Sequence, residues 1–174
     1  DEVPRPIQRL DVTTTGVIVF ARIQKAAAFL MREFQENRIE KEYLALVEGI
    51  PQSKKFTIDK PIGKSKGSKR AVGKEILHSQ QAQTDVEWLT SIGERSLLRV
   101  SPRSGRTNQI RVHLASVGLY IYNDSIYGLG KVSDQEFGLH HRLMRFQCFD
   151  KKIELTATCP SHFQPYIQKV SKTI

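Results

Sequence analysis

The apolar residues of this chain come in short runs, and that spacing restricts the fold more than any other feature. The two longest runs, Gly16-Val17-Ile18-Val19-Phe20-Ala21 and Tyr43-Leu44-Ala45-Leu46-Val47, end at charges, glycine or proline. Runs of this kind suit buried strands, and they fall far short of the ~18 residues a transmembrane helix needs. The first reads as a buried strand over residues 16–23, and the second as a strand over residues 42–48 stopped by Gly49 and Pro51. Between them Ala27, Leu30, Met31 and Phe34 recur at helical spacing, which predicts one apolar helix face, with Asn37 as the stop.

The remainder continues the pattern. Residues 83–91 and 95–101 read as the arms of a hairpin around Ile92-Gly93-Glu94, with Trp88 and Leu98 on its inner face. Residues 107–117 read as a second helix, with Ile110, Leu114 and Val117 on one face and Thr107 or Asn108 as its cap. Strand-like runs at 139–146 and 152–158 follow, then Pro160-Ser161 and a short helix to about Val170. In the first of these runs His140-His141 reads as a strand pair with one side chain buried and one exposed. Many strands and few helices predict an α+β domain with a mixed, mainly antiparallel sheet flanked by helices. A length of 174 residues with 39% hydrophobic content is enough for a single cored domain and excludes a disordered tail.

Lys+Arg exceed Asp+Glu by 27 to 18, a net charge of +9. Much of the excess lies in one stretch, Lys54, Lys55, Lys60, Lys64, Lys66, Lys69, Arg70 and Lys74, interrupted by Gly63, Gly67 and Gly73 and with Asp59 as the only acid within it. A loop of that composition suits a phosphate backbone, whereas a merely soluble surface loop is the plainer alternative. Arg99, Arg103, Arg106 and Arg111 form a second basic group, which favours a polyanion partner. The basic stretch lacks the large apolar side chains that a membrane-surface helix buries. Cys148 and Cys159 have no CxxC spacing and read as packed thiols in a reducing compartment, hence a cytoplasmic location, or an organelle if a leader was removed.

Two segments concentrate chemistry. Taken alone, Arg9-Leu10-Asp11 with Val12-Thr13-Thr14-Thr15-Gly16 is a turn in which Asp11 caps its own loop through Thr13 or Thr14 and Gly16 relaxes the backbone. Residues 104–114, Ser-Gly-Arg-Thr-Asn-Gln-Ile-Arg-Val-His-Leu, carry polar and basic side chains where a plain amphipathic helix needs none, and such density asks for a ligand. Together these segments resemble the RluA-type pseudouridine synthases. That family's H-R-L-D-x-x-T-S-G is matched by residues 8–16, its K-x-Y-L-A-L-V-x-G by residues 41–49, and its G-R-T-H-Q-I-R-V-H-L by residues 105–114, with Tyr127-Gly128 following. Pro61-Ile62-Gly63 and Leu139-His140-His141 extend the resemblance along nearly the whole chain.

The resemblance implies isomerisation of uridine in rRNA or tRNA to pseudouridine. Asp11 is then the catalytic carboxylate, able to act as a nucleophile, to stabilise an electron-poor sugar carbon or to move a proton from C5. Arg111 is implied as its guanidinium partner, which favours the anion, and Tyr43 as the ring against which the uracil stacks. The target uridine must leave its stack to be reached, and Arg9 is the candidate to fill the vacated space. Thr15, Arg106, Gln109, Leu114, Lys66, Lys69 and Arg70 complete the implied substrate contacts, Leu114 with Ile110 as pocket wall and core. No metal, cofactor or nucleotide is implied, and the expected protein is a monomer whose partner is RNA.

Gln8, Thr15 and Asn108 stand where the family has His, Ser and His, and Asn123 stands where it has Gly, an exchange tolerable because Asn also visits positive φ. Family members normally carry a strand with an N-K-P-x-G pattern before the first motif. Its absence gives the expectation of one catalytic domain over residues 1–174 that lacks its N-terminal part. An inactive RNA-binding remnant of the same fold is the alternative reading.

Overall fold

The computed structural model describes residues 3–65, 69–73, 76–130 and 136–171. Two short pairings open the chain: β1 (Arg5–Pro6) runs antiparallel to β3 (Phe20–Ala21), while β2 (Thr15–Gly16) lies parallel to a later strand. Helix α1 (Gln24–Gln35) precedes the long central strand β4 (Glu40–Glu48). The basic region holds β5 (Lys55–Asp59) and a small hairpin of β6 (Ile62–Lys64) and β7 (Arg70–Val72). Next come the hairpin β8 (Gln83–Ile92) and β9 (Arg95–Pro102), helix α2 (Gln109–Ala115) and β10 (Tyr120–Ile121). The chain continues with β11 (Leu139–Cys148), β12 (Lys151–Thr156), a 3-10 turn at Ser161–Phe163 and α3 (Gln164–Ser171).

Among the described residues the main sheet runs β12-β11-β4-β9-β8-β5, with β10 on β4 and β2 on β11. Every pairing is antiparallel except the one between β2 and β11, so the sheet is mixed and mainly antiparallel as the sequence predicts. Strand β4 is buried on both faces, which explains its unbroken apolar run. Ala45 and Val47 pack with Leu98, Val100, Ile110 and Leu114 under α2, while Leu44 and Leu46 pack with Leu97, Phe163 and Tyr166 under α3. Helix α1 covers a separate patch, where Leu30 meets Val17, Ile39, Met144 and Phe146.

Several local expectations are corrected. Residues 16–23 are not one buried strand: the segment switches from β11 to β1, and Val17 and Ala21 face inward while Ile18, Phe20 and Ile23 are exposed. Met31 and Val117 are exposed, because α1 buries a narrow face on Ala27 and Leu30 and α2 ends before Val117, in a turn where Gly118 takes φ of 76°. Neither Thr107 nor Asn108 caps α2 with its side chain; Asn108 sits at its start with φ of 56°, its side chain turned to other partners. His140 and His141 do alternate, yet both are buried, since one side meets Phe163 and the other stacks on Tyr43. Asn123 does take a left-handed φ of 59°. Both cysteines are free thiols.

Candidate active site

A cleft of about 400 Å³ opens where the turn before β2, the first turns of α2 and strand β4 converge. Its lining includes Arg9, Asp11, Thr14, Lys41, Tyr43 and Asn108. The turn bearing Asp11 is anchored at both ends. The Thr14 amide donates to the Asp11 carbonyl at 2.9 Å, which is the turn itself; the Asp11 carboxylate does not make it. Beyond it, the Val17 amide donates to the His141 carbonyl at 2.9 Å, and the Gln8 side-chain amide donates to the Val17 carbonyl at 2.9 Å. Gly16 has φ of 119°, and a Cβ there would collide with the His141 backbone, so only glycine lets β2 dock this close.

Arg111 reaches Asp11 across a hundred residues of sequence. Its Nη1 lies 3.3 Å from Asp11 Oδ2 and also donates to Asn108 Oδ1 at 3.2 Å. The tighter partner is one that sequence reasoning missed: Asp124 accepts from Nε and Nη2 at 2.7 Å each, in a forked pair. Asp124 is fully buried, and its Oδ1 also accepts the Ile126 and Tyr127 amides at 2.9 and 3.0 Å. Burial alone would raise the Asp124 pKa, but the hydrogen bonds from Arg111, Tyr127 and Ile126 outweigh it and hold the carboxyl below its ordinary range. The only sequence signal was the Ile121-Tyr122-Asn123-Asp124 turn, where the aspartate had no assigned role.

Tyr43 lines the same cleft, its ring stacked on His141 with centroids 4.3 Å apart and planes at 10°. Burial, and then the nearby Asp11 charge, push the Tyr43 hydroxyl well above its usual pKa, so it stays a neutral donor. Beneath it His141 donates from Nδ1 to the Val17 carbonyl at 2.8 Å, and burial lowers its pKa to about 4. A neutral imidazole therefore backs the tyrosine.

The structure sorts the remaining sequence candidates. Arg9 and Arg106 are exposed on the cleft lining and in no ion pair among the described residues. Gln109 lines the cleft but is buried, and its amide is committed to protein: it accepts from Ser104 Oγ and donates to Thr84 Oγ1 and the Gln83 carbonyl. That makes it a brace between α2 and β8, not a substrate donor. Leu114 is fully buried in the core and does not line the cleft. Thr15 points away from the cleft to hydrogen-bond His140 Nδ1 at 2.8 Å. Lys69 is exposed near the tip of the β6–β7 hairpin. The half-buried Arg70 donates its amide to the Tyr127 hydroxyl, which also receives Asn108 Nδ2, so the hairpin is tied to the site. Lys66 and Lys74 lie outside the described residues. The second basic group is mostly neutralised, because Arg99 pairs with Glu42 and Glu87, Arg103 with Asp85, and Arg111 with Asp11 and Asp124.

Residues 1–116 match the family described as RNA pseudouridylate synthase. The chain belongs to that family. A Mycobacterium bovis protein named as an uncharacterized RNA pseudouridine synthase is 35% identical over 167 residues, covering 91% of this chain and 53% of its own length. The ribosomal large subunit pseudouridine synthase D of Borreliella burgdorferi is 33% identical over 125 residues, 72% of this chain and 38% of its own. This chain thus spans about half the length of the curated relatives it matches. Among solved structures, human RNA pseudouridylate synthase domain containing 1 superposes with a TM-score of 0.79 at 27% identity, over 97% of this chain and 73% of that one. The RluA-type resemblance of the three motifs and the α+β fold are both confirmed.

Proposed function

We propose that this chain converts uridine to pseudouridine in RNA, with Asp11 as the catalytic carboxylate acting on a base flipped out into the cleft. The observation that carries this reading is that Asp11 and Tyr43 line one cleft while Arg111, buried behind it, reaches Asp11, so that three separate segments meet there. In the reaction the C1′–N1 bond breaks, a C1′–C5 bond forms, C5 loses its proton and N1 gains one, so no atom is added or lost. In this reading Asp11 serves for attack or charge stabilisation and for moving the C5 proton, while Tyr43 presents a flat, uncharged ring to the uracil. A flipped base leaves a gap in its stack, and the exposed Arg9 at the cleft edge suits filling it. Arg106, Lys69 and the rest of the basic hairpin suit the phosphate backbone.

Large-subunit rRNA is the first substrate to test, because relatives carry that designation, with tRNA second. The full-length protein is incubated with each RNA and pseudouridine is mapped by carbodiimide adduct formation and primer extension. Wild type is expected to modify specific uridines, whereas Asp11→Ala binds RNA and forms no product. Unmodified RNA after wild-type treatment, or product undiminished in Asp11→Ala, overturns the reading.

A further inference from the structure

Lys41 opens the second sequence motif, yet neither the turn of Asp11 nor the fork of Arg111 uses it. Residues Lys41, Tyr43, Ala45 and Val47 alternate onto one face of β4, so the lysine stands at the cleft end of an otherwise apolar row. Only 9% of Lys41 is exposed, and it lines the cleft alongside Asp11 and Tyr43. Lysines are almost never buried to this degree unless paired. Here the ammonium has a single protein partner, the Ser104 carbonyl at 3.3 Å, and no ion pair among the described residues. Burial lowers its pKa, as expected for a cation with no counter-ion at hand.

Charge balance sharpens the point. Arg111 is shared between two carboxylates and has Nε, Nη1 and Nη2 all engaged, so it has little left for an incoming group. Unlike the exposed Arg9 and Arg106, Lys41 is a buried cation of the cleft with no ion pair among the described residues, and two of its three donors are free. A second unfilled group lies in the same lining, since Thr14 Oγ1 is buried without a hydrogen-bond partner. Both ask for a ligand that accepts hydrogen bonds inside the cleft.

Uracil offers such acceptors. When the C1′–N1 bond breaks, the electron pair goes to the base and spreads over N1 and the carbonyl oxygens O2 and O4. We propose that Lys41 is a catalytic residue that donates a hydrogen bond to the uracil carbonyl on which this charge collects, keeping its own proton throughout. The charge is relieved when C5 bonds to C1′. This inference rests on the uridine-isomerase reading above. A phosphate is the less suitable ligand, because the ammonium lies in the cleft with Tyr43, whereas the exposed cations sit on Arg9, Arg106 and the hairpin.

The test compares wild type, Lys41→Met and Lys41→Arg in single-turnover reactions on RNA carrying uridine or 5-fluorouridine at the target position. Fluorine withdraws electrons and stabilises the departing base, so the need for Lys41 shrinks; because C5 then carries no proton to lose, this arm is read as consumption of the N1-linked nucleoside and not as pseudouridine formed. Lys41→Met is expected to lose roughly 100-fold or more on uridine RNA, as for loss of one preorganised charge-stabilising donor, with a much smaller loss on 5-fluorouridine RNA. Lys41→Arg keeps part of the rate. Thermal melting should find Lys41→Met as stable as wild type or more so, because it removes an unpaired buried charge. Equal losses on both RNAs, or a clearly less stable Lys41→Met, would mean a structural role and overturn the proposal. So would an unchanged rate with a reduced salt slope of binding, which marks a phosphate contact. Wild type that binds RNA but leaves uridine unchanged overturns the isomerase reading and this inference with it.

Discussion

Replacing Asp124 by Asn separates the two jobs of the Arg111 fork. The substitution keeps an oxygen for the Ile126 and Tyr127 amides but sets an NH2 against a guanidinium N–H, so one arm of the forked pair is lost. Removing one partner of a buried pair costs ~3–5 kcal/mol when the other is left unpaired. Arg111 still has Asp11 at 3.3 Å, so the cost falls at or just below the low end of that range, ~2–3 kcal/mol. For a domain of this length that lowers Tm by ~5–10 °C. The freed guanidinium also turns toward Asp11, and a small misplacement of that kind slows pseudouridine formation by ~10–100-fold with RNA affinity unchanged.

Urea denaturation at a series of pH values checks the stability part. The folded Asp124 pKa lies below the ordinary value of ~3.9 that applies in the unfolded chain. The carboxylate's contribution is therefore fully present above pH ~4 and is lost as pH falls through the lower, folded value. The gap between wild type and Asp124→Asn should be constant from pH 5 to 8, ~2–3 kcal/mol, and should narrow below pH ~4. A variant within ~0.5 kcal/mol of wild type at pH 7 would refute the assignment of Asp124 as the main anchor of Arg111.

Three other substitutions probe the surroundings. Tyr43→Phe should keep most of the activity if stacking is the tyrosine's main role, whereas Tyr43→Ala should lose activity and ~3 kcal/mol of stability; because the hydroxyl pKa is raised, wild-type rates should show no alkaline fall from Tyr43 ionisation below pH 10. His141, with its pKa lowered to about 4 against ~6.5 unfolded, gives stability that is present above pH ~6.5 and declines toward pH 4 as the unfolded chain takes the proton first. His141→Gln should flatten that decline in denaturation curves, and an unchanged slope would show that other groups carry it. Lys64→Ala combined with Lys69→Ala should weaken RNA binding and reduce the salt slope by ~1–2, measured by filter binding over a salt series, while the single-turnover rate at saturation stays level.

How much of this was legible in the sequence depended on the range of the interaction. Periodicity located α1, β4 and the β8–β9 hairpin, because those elements follow from neighbours a few residues apart. It failed at residues 16–23, where an extended segment changes partners: exposure of Ile18 and Phe20 is decided by which strand lies alongside, not by their own run. It failed at His140-His141 for the same reason, since alternation gives opposite faces but not whether each face is covered. In the site, the motifs brought Asp11, Tyr43 and Arg111 to attention, and their joint position is a matter of topology. Gln109 and Leu114 sat in the same motif, yet it is their packing, visible only in three dimensions, that makes one a brace and the other core. The two residues the sequence left without roles, Lys41 and Asp124, are ordinary charged residues whose significance comes from burial.

The unequal sharing of Arg111 gives the arrangement its logic. Had Asp11 been the forked partner, both of its oxygens would have been engaged by the guanidinium and less of the carboxylate would have been available to a substrate. With Asp124, which does not line the cleft, taking Nε and Nη2 at 2.7 Å, only Nη1 of Arg111 extends to Asp11 Oδ2 at 3.3 Å. Among the described residues Asp11 Oδ1 has no hydrogen-bond donor, so one oxygen faces a half-exposed cleft while the other is held in place. A carboxylate steered by one weak contact is both positioned and available, which is the condition that attack on a sugar carbon or removal of a C5 proton demands.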